Sequence, residues 1–195
     1  MDMKTMLLAL LLASGAAGPA SPPAAAPASA WDPASRLAAQ REAMKALAFM
    51  DGAWRGKAET DRLPAGFTHT ERSGTLLDGT VRLVEGRSYD EKGGTRFNAF
   101  GIISYDPVRH AFTMHSHAMG YVGDFPFEVR PDGYSWTQPA GPGAEIHYTA
   151  TVAGDAWREV GERVVNGGTP QKVFEMNLRR IGPSAWPREG AVGPH

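Results

Sequence analysis

His115 and His117 flank Ser116. On an extended strand, residues two apart project to the same face, so these two imidazoles have the spacing of metal ligands or of a proton relay. A metal site needs a third donor, for which His147 is the only plausible further imidazole, but His147 alternates with the apolar Ile146 and Tyr148 and so faces away from them. The same alternation sends Phe112 and Met114 inward and turns His115 and His117 outward, which makes a solvent-facing or structural role the commonest fate of this pair, pocket lining the next and metal coordination the rarest. Ser116 points away from both of its neighbours, so the triplet is not a nucleophile with its base. Glu159 shares a face with Trp157 and Arg163. If that face is interior, Glu159 is the best single candidate for a general acid or base; on the exterior it is an ion-pair partner of Arg158 or Arg163, the commoner arrangement.

No Gly-x-Ser-x-Gly elbow, phosphate-binding loop or His-Glu-x-x-His helix occurs in the chain. Cysteine is absent, which excludes a disulfide framework, a thiolate zinc site, an iron–sulfur cluster and cysteine nucleophile chemistry together. The 195 residues are 42% hydrophobic and 21% charged, the composition of one globular domain. With 20 Lys+Arg against 21 Asp+Glu the net charge is -1, so there is no basic excess for nucleic acid or for an anionic membrane surface.

Stepping along the chain, Met6 onward is an unbroken apolar run that ends in Ser14-Gly15-Ala16-Ala17-Gly18, the pattern of a secretory signal peptide over 1–18. The run is too short for a membrane anchor, which takes about 20 apolar residues. Residues 19–32, with Pro19, Pro22, Pro23 and Pro27 among alanines, read as an extended linker. Asp32-Pro33 is a helix start, and Leu37, Met44, Leu47 and Ala48 recur at helical spacing, which predicts one amphipathic helix over 33–50. The protein is expected to be exported, to the periplasm or beyond.

From Asp51-Gly52 the period changes to two. Alternation predicts ten strands over 53–60, 67–76, 80–89, 95–105, 111–119, 125–130, 134–138, 144–152, 156–165 and 172–181. Turn signals such as Asp78-Gly79, Lys92-Gly93-Gly94, Pro131-Asp132-Gly133 and Asn166-Gly167-Gly168 separate them. Connections this short force antiparallel neighbours, and closure removes the two unpaired edges of an open sheet. The expected fold is therefore all-β: an antiparallel up-and-down barrel of about ten strands over 51–181, preceded by one helix and followed by a disordered tail over 182–195. Phe174, Met176 and Leu178 should point inward, as should Tyr148 with Ile146, Ala150 and Val152, and Phe125 with Phe127 and Val129. Strand three gives no clear face, because Val81, Leu83, Glu85 and Arg87 mix apolar and charged groups.

The segment Met50-Asp51-Gly52-Ala53-Trp54-Arg55-Gly56 resembles the opening of lipocalin-like, calycin-type barrels. Gly101-Ile102-Ile103-Ser104-Tyr105-Asp106-Pro107, Thr149-Ala150-Thr151 with Trp157-Arg158-Glu159, and the closing Phe174-Glu175-Met176-Asn177-Leu178-Arg179-Arg180 extend the likeness. Together they resemble a bacterial lipocalin-like family of unknown function, distantly similar to the haem-binding nitrobindin barrels. The resemblance implies that Gly52, Trp54 and Arg180 close one end of the barrel, the arginine over the indole. Nitrobindin-like barrels hold haem iron on a histidine near the last strand. The stretch from 171 to 181 contains none here, which leaves Met176 as a thioether alternative whose usual task is core filling, so no cofactor is expected.

Aromatic side chains exceed what one closed end requires, and the resemblance points to a pocket lined by Tyr105, Phe112, Trp136, Tyr148, Phe174 and Met176, with His115, His117 and Glu159 as its polar candidates. The expected function is binding of a small hydrophobic or amphipathic molecule without catalysis. The alternative is an enzyme acting on a hydrophobic substrate inside the barrel, with Glu159 or the His115/His117 pair as acid and base. A converging cluster of polar groups in the cavity would favour the enzyme, and a single polar anchor the binder.

Overall fold

Alternation and tight turns leave one economical path for the chain beyond Gly52, and the computed structural model, which describes residues 32–188, follows it. Ten strands, β1 (Gly52–Thr60), β2 (Leu63–Leu76), β3 (Val81–Tyr89), β4 (Thr95–Asp106), β5 (Ala111–Ala118), β6 (Tyr121–Arg130), β7 (Gly133–Pro139), β8 (Ala144–Ala153), β9 (Ala156–Val165) and β10 (Gln171–Gly182), each pair with their sequence neighbours. β1 then pairs antiparallel with β10, which closes the barrel and leaves no edge. The stretches expected to be a signal peptide, 1–18, and all but the last residue of the expected linker, 19–32, lie outside the described residues.

The expected helix divides in two. Asp32 caps it, its carboxylate accepting from the N–H groups of Ala34 and Ser35, and α1 runs over Pro33–Met44 before tightening into a 3-10 segment, Lys45–Met50. The large apolar residues crowd the C-terminal end: Met44, Leu47 and Met50 are buried, whereas Leu37 is 40% exposed. So the first turns of α1 are not amphipathic in effect, and the 3-10 segment carries the plug that enters one end of the barrel. Among the described residues no helix is long and apolar enough to cross a membrane.

That end is closed by packing and by paired charge. Trp54 and Trp157 are fully buried and meet edge to face at 5.3 Å. The Trp54 indole N–H donates to the carbonyl of Met50 at 3.0 Å, tying the plug to β1. Trp54 stands opposite Arg180 in the β1–β10 register, and the guanidinium lies over the indole, 4.0 Å from its centre. The same guanidinium donates to the carbonyls of Phe49 and Asp51 and to the Asp155 carboxylate. Gly52 has φ +115, and a Cβ there would lie 2.8 Å from the carbonyl oxygen of Gly182, so the crossing of the first and last strands requires glycine. Arg82, buried, reaches Asp51 at 2.7 Å and the Ser73 hydroxyl at 2.8 Å.

Strand β3 resolves the mixed face. Its inward residues are Arg82, Val84, Gly86 and Ser88, while Glu85 and Arg87 form ion pairs outside, Glu85 with both Arg72 and Arg87. The charges that looked like interior residues are thus outer-wall residues and call for no ligand. Beyond β10, where a disordered tail was expected, residues 183–188 run along the wall: the Trp186 ring meets Phe100 edge-on at 6.3 Å and lies under the Arg72 guanidinium at 4.4 Å.

Candidate functional site

Above the plugged end the barrel encloses a cavity of about 980 Å³, with Met50 and Trp157 toward the plug and the β1–β2, β3–β4 and β5–β6 hairpins at its mouth. One wall is aromatic. Trp136 and Tyr148 face each other across the β7–β8 ladder and stack in parallel, 4.1 Å apart and 6° from coplanar, and Tyr148 meets Phe174 edge-on at 6.1 Å.

Polar side chains line the same cavity. Strand β2 sends His69 and Glu71 inward along with Phe67, and β3 adds Ser88. His69 Nε2 lies 2.9 Å from Glu71 Oε1 and Nδ1 lies 2.7 Å from Ser88 Oγ. With the ring proton on Nε2, donated to the carboxylate, Nδ1 accepts from the Ser88 hydroxyl. Gly86 stands opposite Glu71 in the ladder, and a Cβ there would lie 2.6 Å from Glu71 Oε1, so this glycine makes the room that the carboxylate occupies. Glu159, on β9, is buried: Tyr134 O–H donates to its Oε2 at 2.5 Å and the Trp136 indole N–H to its Oε1 at 3.2 Å. Burial pushes the Glu159 carboxyl up to about 7; the two donated hydrogen bonds oppose that rise, and the charge of Glu71 adds to it. Desolvation beside Glu159 likewise raises the Tyr134 and Tyr148 hydroxyls above the usual phenol range. Two side-chain atoms of cavity-lining residues, Glu71 Oε2 and Trp157 Nε1, are shielded from solvent without a hydrogen-bond partner.

Of the residues singled out from sequence, Trp136, Tyr148, Phe174, Met176 and Glu159 line this cavity. Glu159 is interior rather than the surface partner of Arg158, which pairs with Glu175 outside. Tyr105 and Phe112 point inward too, but they pack on each other at 4.9 Å nearer the plugged end and do not line the cavity. His115 and His117 are on the outer wall, because Met114, Ser116 and Ala118 take the inner face of β5. Their Nε2 atoms are 3.1 Å apart and His115 Nδ1 meets Asp124 at 2.7 Å. Among the described residues no group of three or more His, Asp or Glu is arranged to hold a metal ion. This pair is therefore outside the cavity as either ligand contact or acid–base pair. His147 is outside as well, against Glu145.

Sequence reasoning missed His69, Glu71, Ser88 and Tyr134. Carrying alternation through β2 from Phe67 would have put His69 and Glu71 inside with it; Ser88 and Tyr134 carry no comparable signal.

A closed ten-stranded antiparallel barrel, plugged at one end by a short helix, is consistent with a calycin-like class. No known family model matches the chain, and no curated protein does. Among solved structures, the crystal structure of Rv2717c from M. tuberculosis is similar in fold, with a TM-score of 0.50 and 13% identity over 71% of this chain and 96% of that one.

Proposed function

We propose that this protein is a lipocalin-like carrier that holds one small amphipathic molecule in its barrel, apolar body against the Trp136–Tyr148–Phe174 wall and polar end toward Glu71 and Glu159. The observation that carries the reading is the cavity itself: about 980 Å³, open at one end, lined by aromatic rings on β7, β8 and β10 and by polar side chains on β2, β3 and β9. A solid core would have filled that space with side chains. The motifs around Gly52 and Trp54 support membership in the bacterial lipocalin-like family they resemble, and the leader over 1–18 supports export. Haem is no part of this reading. Among the described residues His69 is the one imidazole lining the cavity, and both of its ring nitrogens are engaged, so those residues offer haem iron no free axial histidine.

A second reading is favoured by a specific arrangement, since several polar groups converge where a simple binder needs one. Ser88, His69 and Glu71 stand in the order hydroxyl, imidazole, carboxylate, and Glu159 is a buried acid able to exchange a proton near neutrality. Acyl transfer at Ser88 would still need donors for a developing oxyanion. Ser88 is laddered to His69 on one side and Phe97 on the other, and its side-chain partner is His69, with no second side chain among the described residues placed to donate to such an oxygen. Binding therefore ranks first.

Native mass spectrometry of the protein recovered from its host's envelope fraction tests both readings. A chain trimmed within its first 21 residues and carrying a stoichiometric small molecule supports the exported carrier. A full-length, empty chain overturns it. Conversion of the retained molecule on incubation, lost in Glu159→Gln, replaces carrier with enzyme.

A further inference from the structure

We propose that the molecule held in the barrel carries a positively charged head, an organic ammonium on an apolar body, seated between Glu71 and Glu159. This rests on the carrier reading and names the class of its ligand.

The charges lining the cavity are lopsided. Glu71, Asp90, Glu91 and Glu159 contribute carboxylates, whereas Lys57 and Arg96 are the basic residues. Arg96 is exposed at the mouth and bound to Asp90, and the Lys57 side chain is exposed as well. At depth only the carboxylates remain, with His69 between them and committed to Glu71 and Ser88. The other donors reaching Glu159, from Tyr134 and Trp136, are neutral. Arg82 and Arg130, toward the plugged end, do not line the cavity: Arg82 bonds Asp51 and Ser73, Arg130 bonds the carbonyls of Tyr134 and Ala150, and each keeps its Nε unpartnered.

This leaves Glu71 Oε2 shielded, unpartnered and among the residues that line the space. A buried carboxylate oxygen without a donor is costly, and the cost falls when a cation with N–H groups arrives. A carboxylate or phosphate head would instead meet two acidic side chains, and an alcohol would bring a donor but no charge. The aromatic wall beside Glu159 suits the same ligand, because ring faces attract ammonium groups in a desolvated site. Glu159 then works as a gate on affinity: neutral below about pH 7 it adds hydrogen bonding only, and ionised above that it adds a second negative charge. The groups that face it are Glu71 and His69 from β2, Tyr134 and Trp136 from β7 and Tyr148 from β8, and none of these is a permanent cation.

Isothermal titration of the purified mature chain with decylammonium, decanol and decanoate at pH 8 tests the inference. Decylammonium should bind about tenfold or more tighter than decanol, and decanoate more weakly than either. Lowering the pH to 6 should weaken decylammonium severalfold and leave decanol unchanged. Glu71→Gln should narrow the preference for decylammonium, and Glu71→Gln with Glu159→Gln should bring decylammonium down to the affinity of decanol, with circular dichroism confirming the fold. Decanol or decanoate binding as tightly as decylammonium would overturn the positive head and leave the carrier standing. An ammonium preference that survives the double substitution would overturn this site for it. Binding by none of the three would overturn the carrier reading itself.

Discussion

The two ends of this barrel treat buried polarity in opposite ways. At the plugged end the buried charge is cationic and meets acids, carbonyls and a ring: Arg180 spans Trp54, Asp155 and two carbonyls, and Arg82 spans Asp51 and Ser73, although the Nε atoms of Arg82 and Arg130 are left without partners. The aromatic rings there are packed on one another, and Met44, Leu47 and Met50 leave nothing open. In the other half the acids outnumber the bases, one carboxylate oxygen has no donor and Glu159 sits close to half-ionised at neutral pH. Stability concentrates where rings close-pack and cations meet acids, and a capacity to bind is left where carboxylates border an open space. A side chain removed from one end should therefore register mainly as stability, and from the other mainly as affinity.

The largest expected effect is at the plug. Trp54→Ala removes a fully buried indole and its hydrogen bond to Met50, and should cost about 3–5 kcal/mol in a denaturant titration. Trp136→Ala, at the wall of an existing void, should cost no more than about 2 kcal/mol, because fewer atoms lose close-packed neighbours, while abolishing most of the ligand affinity. Equal losses of stability from the two would erase the distinction between the ends.

Next in size is the pH dependence that Glu159 imposes. Its carboxyl rises from an ordinary value of 4.5 to about 7 on folding, so the folded chain binds the proton more tightly than the unfolded one. Below about pH 4.5 both states are protonated and the group contributes nothing. Between there and about pH 7 stability falls as pH rises, and above it the penalty is constant, on the order of 3 kcal/mol at most. The carboxyls held low, Asp106 and Glu175 at about 2, lose their contribution only in more acidic solution and stay out of this window. Glu159→Gln should flatten the profile between pH 5 and 8 and be the more stable protein at pH 8. A wild-type stability that holds level or climbs over that interval would contradict the assignment.

How much of this was legible in the sequence follows the same division. Where the interior is packed, burial forces alternation: Ala150, Val152 and Leu178 read inward and are buried, and the turns between strands mark ten strands close to their actual limits. Where the interior is a cavity, no packing partner requires an apolar residue, so the inner faces of β2 and β3 carry His69, Glu71, Gly86 and Ser88, and the rule loses its signal. Glu159 was visible because Trp157 shares its face, and its partner Trp136 because it is aromatic; that His69 and Glu71 share their space was not, since only closure of the barrel brings β2 near β9. The helix over 33–50 was legible from its cap and spacing, but spacing alone does not show that its buried residues, Met44, Leu47 and Met50, all sit in the last two turns while Leu37 stays exposed.

The smallest expected effect is the sharpest test of register. Arg179 and Arg180 are adjacent, equally charged and in one strand, yet alternation sends Arg179 to solvent and Arg180 over Trp54. A guanidinium stacked on a shielded ring contributes about 1–2 kcal/mol, and its bonds to the Phe49 and Asp51 carbonyls also fasten the plug to the last strand. The site is partly open, which limits what the Asp155 ion pair can add. Arg180→Ala should thus destabilise by about 1–3 kcal/mol, while Arg179→Ala stays within about 0.5 kcal/mol, as exposed substitutions do. Arg180→Lys should recover little, because an ammonium cannot stack on the indole and reach both carbonyls together. If the two alanine variants unfold at the same denaturant concentration, the clasp between first and last strands is not what holds the plug, and the buried Arg82–Asp51 contact becomes the next place to cut.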